Sequence, residues 1–554
     1  MSEMSEEKRC HAGGVLPPPL AGEGWGGGSL RRLVRINPLP ALRADLPRKR
    51  GRCCGAFVAL LVLAAIVTPA LAQDAKPTMA AAETAYAVSD FKAALAILEA
   101  LGNAGDALAQ HRAGIMLLEG KGAARDPVRA AEWIRRAAEQ GQTMSWHMLG
   151  RLQFDGIGMK RDPAEAAKSF LKAATKGHAP AQLMIGRLYQ RGIGVAQDTS
   201  AAVAWLEAAA AQDSAQAQYD LGVLYTSGEG VAKDNAAAER WLIKAAERNL
   251  LIAQISLAQS YMLGRGVAQD DAKALHWYRR AAEAGSVPAQ RITGSFYLEG
   301  RGAERDFAAA AQWSAKAAEA GDAAAQSNLA YLYASGAGVA RDDAKAAEFY
   351  HKAADQGLAR AQVALALFYE TGRGVGRDDA AAAKWYREAA TGGNEPAQIR
   401  LGRLLLRQQD AIVDRADAAR WIHRVAQEGD GAALAWLERA TAAGLAAAQG
   451  RLADLYARGR GVTADAARAL SLCASAAEQG DAFAQLQLGL RYAKGEGVAQ
   501  SYVQAHKWVN LAAVEFEPEA AKSRDVFAKL MTAEQIAEAQ RLAREWMAAR
   551  QGGK

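Results

Sequence analysis

The residues of this chain that could do chemistry are few, and their spacing does not gather them. Seven histidines beyond the first hundred residues, at His111, His147, His178, His276, His351, His423 and His506, are the candidates for metal ligation or proton transfer. A zinc centre needs three or four such ligands converging. Only His111 and His147 share a phase, 36 residues apart; stacked, the two could hold a metal, but such spacing more often marks a surface pair. No H-E-x-x-H, G-x-S-x-G or paired-cysteine spacing occurs. Of four cysteines, Cys10, Cys53 and Cys54 fall in the first 72 residues and only Cys473 lies beyond them. One thiol cannot close an internal disulfide.

Glycine pairs raise a different possibility, since Gly-rich turns let backbone amides approach a phosphate. Here eight Gly-x-Gly pairs, from Gly120/Gly122 to Gly372/Gly374, recur every 36 residues, and two more stand at Gly459/Gly461 and Gly495/Gly497. None follows a strand pattern. Recurrence at this period means one supersecondary unit stacked on copies of itself.

The unit reads as two helices. Helix A runs over Ile252 to Leu263, the loop is Gly264 to Val267, and helix B runs over Asp271 to Ala284. Asp270 is placed to accept from the free N–H groups at the start of helix B, and Gly285 suits a left-handed position after its end. Asp126-Pro127 and Asp162-Pro163 state the same boundary, with proline where no N–H is needed. An aromatic column runs down helix B from Trp133 through Trp205, Trp241, Trp277, Trp313, Phe349 and Trp385 to Trp421. Such a column predicts packing between layers rather than a ligand cage. Alanine pairs one turn later, such as Ala281/Ala282, let helices approach closely. A glutamine column in helix A (Gln110, Gln182, Gln218, Gln254 and onward) predicts amides bonded to neighbouring backbone.

Ala217-Gln218, Leu221-Gly222, Tyr225, Gly228, Gly230-Val231 and Asp234, followed by Lys273-Ala274, Trp277-Tyr278, Ala281-Ala282 and Gly285, together resemble the Sel-one-like repeat, a subfamily of tetratricopeptide-like hairpins. The resemblance covers residues 78 to about 516. It implies an all-α fold, an α/α superhelical solenoid of about eleven 36-residue hairpins, that acts as an adaptor. It carries no catalytic residue and no cofactor.

Three departures divide the chain. Residues 78–429 keep the period. Gly429 to Gly480 spans 51 residues, one period plus 15, so residues 430–444 have room for one extra helix, which should bend the superhelix. Residues 445–516 hold two further repeats, and 517–554 read as capping helices with a capping box at Thr532 to Gln535. Residues 1–72 read as a leader. Arg48, Lys49, Arg50 and Arg52 precede an apolar run from Ala56 to Val67, and Ala70-Leu71-Ala72 fits a signal-peptidase site before Gln73. The part upstream of this signal reads as a start site placed too early. The expected location is therefore periplasmic or secreted, with an uncleaved anchor as the alternative.

Charge follows the same division. The net +7 is divided into +5 over residues 1–72 and +2 over the rest. A near-neutral array lacks the positive stripe that nucleic acid requires. The expected partner is a protein or peptide, with membrane-associated envelope proteins among the candidates. Helix A offers it a variable stripe opposite its packing side, and Arg151, Phe154, Arg187, Tyr219, Arg291, Tyr331 and Arg403 are the residue types enriched at binding hot spots. Two other readings stand beside this scaffold. The resemblance also extends to a cysteine-rich branch proposed to bind or hydrolyse penicillins, whose disulfide in each repeat this chain lacks. A structural part in cell-wall or exopolysaccharide machinery is the other.

Overall fold

Each 36-residue unit that carries a Gly-x-Gly loop folds as two α-helices joined through it. The computed structural model describes residues 77–408, 414–514 and 518–552, and among them are 27 helices and no strand. The leader signal and Gln73 lie outside the described residues, as do residues 409–413. None of the described helices is long and apolar enough to cross a membrane.

The ends of the helices are set by single residues. Asp270 Oδ1 accepts from the Lys273 N–H at 2.9 Å and starts helix Asp271–Glu283. Asp126 does the same for Pro127–Glu139 through the Arg129 N–H at 3.0 Å. Helix Leu251–Leu263 stops on Gly264, which takes φ 67°, a conformation only glycine adopts without strain. The second glycine of the pair has an additional duty. A Cβ on Gly302 would lie 2.1 Å from the Asp271 carbonyl oxygen of the preceding repeat, at φ 71°. That loop therefore rests backbone-to-backbone on its neighbour. Gly266 differs, because its nearest neighbour is the Asn235 side chain at 3.4 Å.

Packing uses the predicted columns. Trp133, Trp277, Trp385 and Trp421 are buried, while Trp205, Trp241, Trp313 and Phe349 are half-buried. Ala281 and Ala282 exclude solvent almost completely, so the next helix sits against backbone. The glutamine column makes a ladder. Gln218 Nε2 donates to the Ala210 carbonyl at 3.2 Å and Gln254 Nε2 to Ala246 at 3.1 Å, eight residues back in each case. A second glutamine, at the end of helix B of the same repeat, then caps some rungs: Gln140 donates to Gln110 Oε1 at 2.7 Å, and Gln356 donates to Gln326 Oε1 at 2.9 Å.

The surplus segment forms helix Gly431–Ala442, with Ala433, Trp436 and Leu437 buried. Helix Arg415–Ala426 packs against both this helix and the following Ala446–Arg458. The chain ends in helices Pro518–Ala528 and Ala533–Gly552. The second is started by a reciprocal box, Thr532 N–H to Gln535 Oε1 at 3.0 Å and Gln535 N–H to Thr532 Oγ1 at 3.3 Å. It folds back on the last repeats, where Trp546 meets Trp508 edge-on and donates to Glu478 at 2.8 Å.

Candidate protein-binding face

Helices A of successive repeats approach one another directly, as Val287–Glu299 and Ala323–Ser335 do, and Ala446–Arg458 and Ala482–Lys494. Among the described helices no two B helices meet to that extent. Side chains therefore connect along the A row. Arg187 grips Asp220 with both nitrogens, at 2.5 and 3.1 Å, and Arg291 reaches Asp322 at 3.3 Å. Tyr219 Oη lies 3.5 Å from Ser256 Oγ.

The predicted stripe is divided by these contacts. Tyr331 is 50% exposed, and Arg403 is exposed with Glu428 at 3.2 Å. Arg151 and Tyr219 are half-buried. Arg187 and Arg291 are each engaged by a carboxylate and brace adjacent repeats. Phe154 does not belong to a binding surface. It is 5% exposed and packs with Phe170 and Ile185, with the Arg161 guanidinium over its ring. Its position lies at the edge of the packing side, where a large apolar side chain turns inward to lose water. Leu183 and Leu406, on the same stripe, are buried for the same reason.

Three arginines that the stripe omits stand beside it. Arg400 and Arg407 flank Arg403 on helix Glu395–Arg407, all exposed, and Arg360 is exposed on Ala359–Thr371. Their spacing of three and four residues places the first three on one helix face, a signal present in the sequence.

The histidines are not a surface pair. His111 is 8% exposed with Nδ1 2.9 Å from Ser145 Oγ, and His147 meets His178 edge-on at 5.0 Å. Burial, then Arg112, pushes His111 down to about 4; burial, then His178, Arg151 and His111, pushes His147 down to about 3. All three are neutral at neutral pH. No group of three or more His, Cys, Asp or Glu side chains is placed to hold a metal among the described residues.

A second polar cluster lies at the phase break. His423 Nε2 is 3.1 Å from Asp454 Oδ2, Arg458 Nε donates to Asp454 Oδ1 at 2.6 Å, and Gln427 Nε2 reaches Asp454 Oδ2 at 3.3 Å. Burial drives His423 down, with Asp454 opposing it. Burial alone would raise the Asp454 carboxyl, but the His423 hydrogen bond and the Arg458 guanidinium hold it below the usual range. The cluster is thus a buried carboxylate compensated by a guanidinium that is itself half in water.

The sequence profile of the Sel1 repeat matches residues 107–142, 147–178, 179–214, 215–250, 251–286, 287–322, 323–358, 359–394, 395–430, 446–481 and 482–513. The chain belongs to the Sel1 repeat family. Its matches skip residues 431–445, where the extra helix lies. Among solved structures, the chain is similar to c5321, a protective antigen of uropathogenic Escherichia coli strains with an SLR fold. The two are 32% identical over 82% of this chain and 94% of that one, with a TM-score of 0.55. A Sel1 repeat protein from Oxalobacter formigenes is 35% identical over 55% of this chain and 89% of its own, with a TM-score of 0.41. No curated protein matches. The Sel1 repeat solenoid is a fold typical of protein-interaction scaffolds.

Proposed function

We propose that this Sel1 repeat protein is an exported, non-enzymatic scaffold that holds a protein or peptide along its row of A helices. It would thereby organise or restrain an envelope sensor or assembly. The observation that supports the reading is the direct approach of A helices in two pairs of repeats, Val287–Glu299 with Ala323–Ser335 and Ala446–Arg458 with Ala482–Lys494, the packing expected where A helices line an inner wall. That wall keeps Tyr331 and Val223 in solvent although both could have been buried. Exposed aromatic and aliphatic groups on a rigid wall are what a partner needs as anchors. Export rests on the leader pattern ending before Gln73.

Photo-crosslinking residues placed in cells at Tyr219 and Tyr331 should yield adducts with one and the same protein. Placed at Glu132, Lys168 and Arg279 on helix B, they should yield none. Adducts confined to the helix B positions would mean that the outer surface works instead. N-terminal sequencing of the native protein should begin at Gln73; an intact leader on all molecules would refute cleavage.

A further inference from the structure

The A-helix face changes character towards the phase break. Around helices Ala359–Thr371, Glu395–Arg407 and Ala446–Arg458, the exposed groups include Arg360, Arg400, Arg403, Arg407 and Arg458. The carboxylates among them lie lower. Side-chain exposure is 57% for Arg407 against 16% for its partner Glu370, and 51% for Arg458 against 4% for Asp454. Arg360, whose guanidinium is partly desolvated, donates to two neutral oxygens, the Ala324 carbonyl at 2.9 Å and Asn328 Oδ1 at 3.0 Å. Arg400 has no ion pair among the described residues. The more open carboxylates are Glu428, 43% exposed beside Arg403, Glu395, 72% exposed beside Arg424, and the exposed Glu438. Solvent therefore meets guanidinium groups that stand above the Glu370 and Asp454 carboxylates. Ion pairs of this exposed kind are worth little in water and exchange readily for a better acceptor.

Resting on the scaffold reading above, we infer that this face docks an acidic, extended peptide segment of a protein partner. Charge complementarity selects the acidic chain, because the planar fork of arginine takes a carboxylate through two parallel hydrogen bonds. Geometry selects an extended one. Packed helices lie about 8–10 Å apart, and an extended chain advances about 3.3 Å per residue. Acidic residues roughly three apart would then meet successive helices. The adjoining neutral wall at Tyr331 suits apolar residues between them.

The test uses the full-length chain and fluorescence anisotropy with a labelled Glu-Ser-Leu repeat peptide. A Lys-Ser-Leu peptide, oligo-dT and phosphatidylglycerol vesicles are the comparators. The acidic peptide should bind and weaken steeply between about 50 and about 200 mM salt. Arg400→Gln, Arg403→Gln and Arg407→Gln together should reduce affinity at least about tenfold. Arg135→Gln, Arg240→Gln and Arg279→Gln on helix B should leave it unchanged. Should the triple variant fail to fold by circular dichroism, the single reversal Arg403→Glu carries the same expectation. Unchanged affinity in the arginine variants overturns the proposal. So does equally tight, equally arginine-dependent binding of oligo-dT or vesicles, which would make the face a general polyanion surface. Either failure leaves the Tyr219 and Tyr331 crosslinks standing, so the scaffold reading is judged separately.

Discussion

Two stretches of the A row share one architecture and differ in what they present. From Ala179–Arg191 to Ala323–Ser335, the period is unbroken and arginines are paired, as in Arg187–Asp220 and Arg291–Asp322. The exposed groups of this stretch include the apolar or aromatic side chains of Val223, Ile252 and Tyr331. From Ala359–Thr371 to Ala446–Arg458, the surface is guanidinium-rich and the period fails. The repeat rule constrains side chains that touch a neighbouring repeat, which is why the Ala, Trp and Gln columns persist through both. Positions outside those columns are free to vary, and individuality collects there. At the break even the interior changes, and the buried His423–Asp454 pair stands among the apolar columns.

The sharpest way to break the comparison is to remove the centre of that pair. Asp454→Ala would strip acceptors from His423, Gln427 and Arg458 at once. Leaving the buried His423 N–H without an acceptor costs about 1–3 kcal/mol, while the half-exposed Arg458 guanidinium turns to water. In a stacked array the loss is carried by nearest neighbours. Hydrogen exchange should therefore accelerate in Arg415–Ala426, Gly431–Ala442 and Ala446–Arg458 before it changes around Ala215–Ser227. Uniform acceleration along the chain would show that the break is no separate unit.

Within the regular stretch, the loops can be ranked against each other. Gly302→Ala places a Cβ against the Asp271 carbonyl in a left-handed conformation, and both repeats must move. Gly266→Ala meets only the Asn235 side chain. The strain at a left-handed non-glycine residue is about 1–3 kcal/mol. Gly266→Ala should fall near the bottom of that range and Gly302→Ala near or above the top. Equal melting temperatures for the two would mean that loop contact between repeats contributes nothing.

The fold could be read from sequence because every repeat states it again; Asp270, Gly285 and the Trp column do in the structure what their types predict. The candidate face was read less well. A stripe drawn at 100° per residue cannot tell a side chain at its edge from one at its centre, so Phe154 was placed in solvent. Nor can it see partners, so Arg187 and Arg291 looked available while Asp220 and Asp322 held them. The arginines at 400, 403 and 407 needed a reading along one helix rather than across repeats. His178 joins His147 from a helix-cap position, outside any column.

That histidine group provides a third contrast, between the first repeats and the rest. His111 and His147 titrate near 4 and 3 when folded and near 6.5 when unfolded. The native state refuses protons that the unfolded state accepts. Their contribution is complete above pH 6.5 and is lost as the pH falls from 6.5 towards 4, by about 1.4 kcal/mol per unit for each histidine. Protonation would place positive charge among Arg112, Arg151 and His178. Limited proteolysis at pH 5 should therefore open Ala107–Glu119 and Thr143–Asp155 before the middle repeats, and His147→Gln should reduce the difference. An array that opens first in the middle would contradict the assignment.

The smallest effect expected is a gain. In the glutamine ladder, Gln218 Oε1 and Gln254 Oε1 are buried without a hydrogen-bond partner. Where the ladder is complete, the donor is a glutamine 30 residues on, at the C-cap just after helix B, as in Gln212 to Gln182 at 2.8 Å and Gln479 to Gln449 at 2.7 Å. For Gln254 that position is Ala284, and for Gln218 it is Arg248, which pairs with Asp213 instead. Ala284 has φ −74° and ψ 2°, against −76° and 3° at Gln140, so the backbone is already set for the donor. Ala284→Gln should satisfy Gln254 and stabilise the array by about 1 kcal/mol, the typical net worth of one hydrogen bond. Gln254→Leu combined with Ala284→Gln should abolish the gain, because the amide would have no acceptor. If Ala284→Gln alone raises the melting temperature no more than the double variant does, the second glutamine is a surface residue and not a rung.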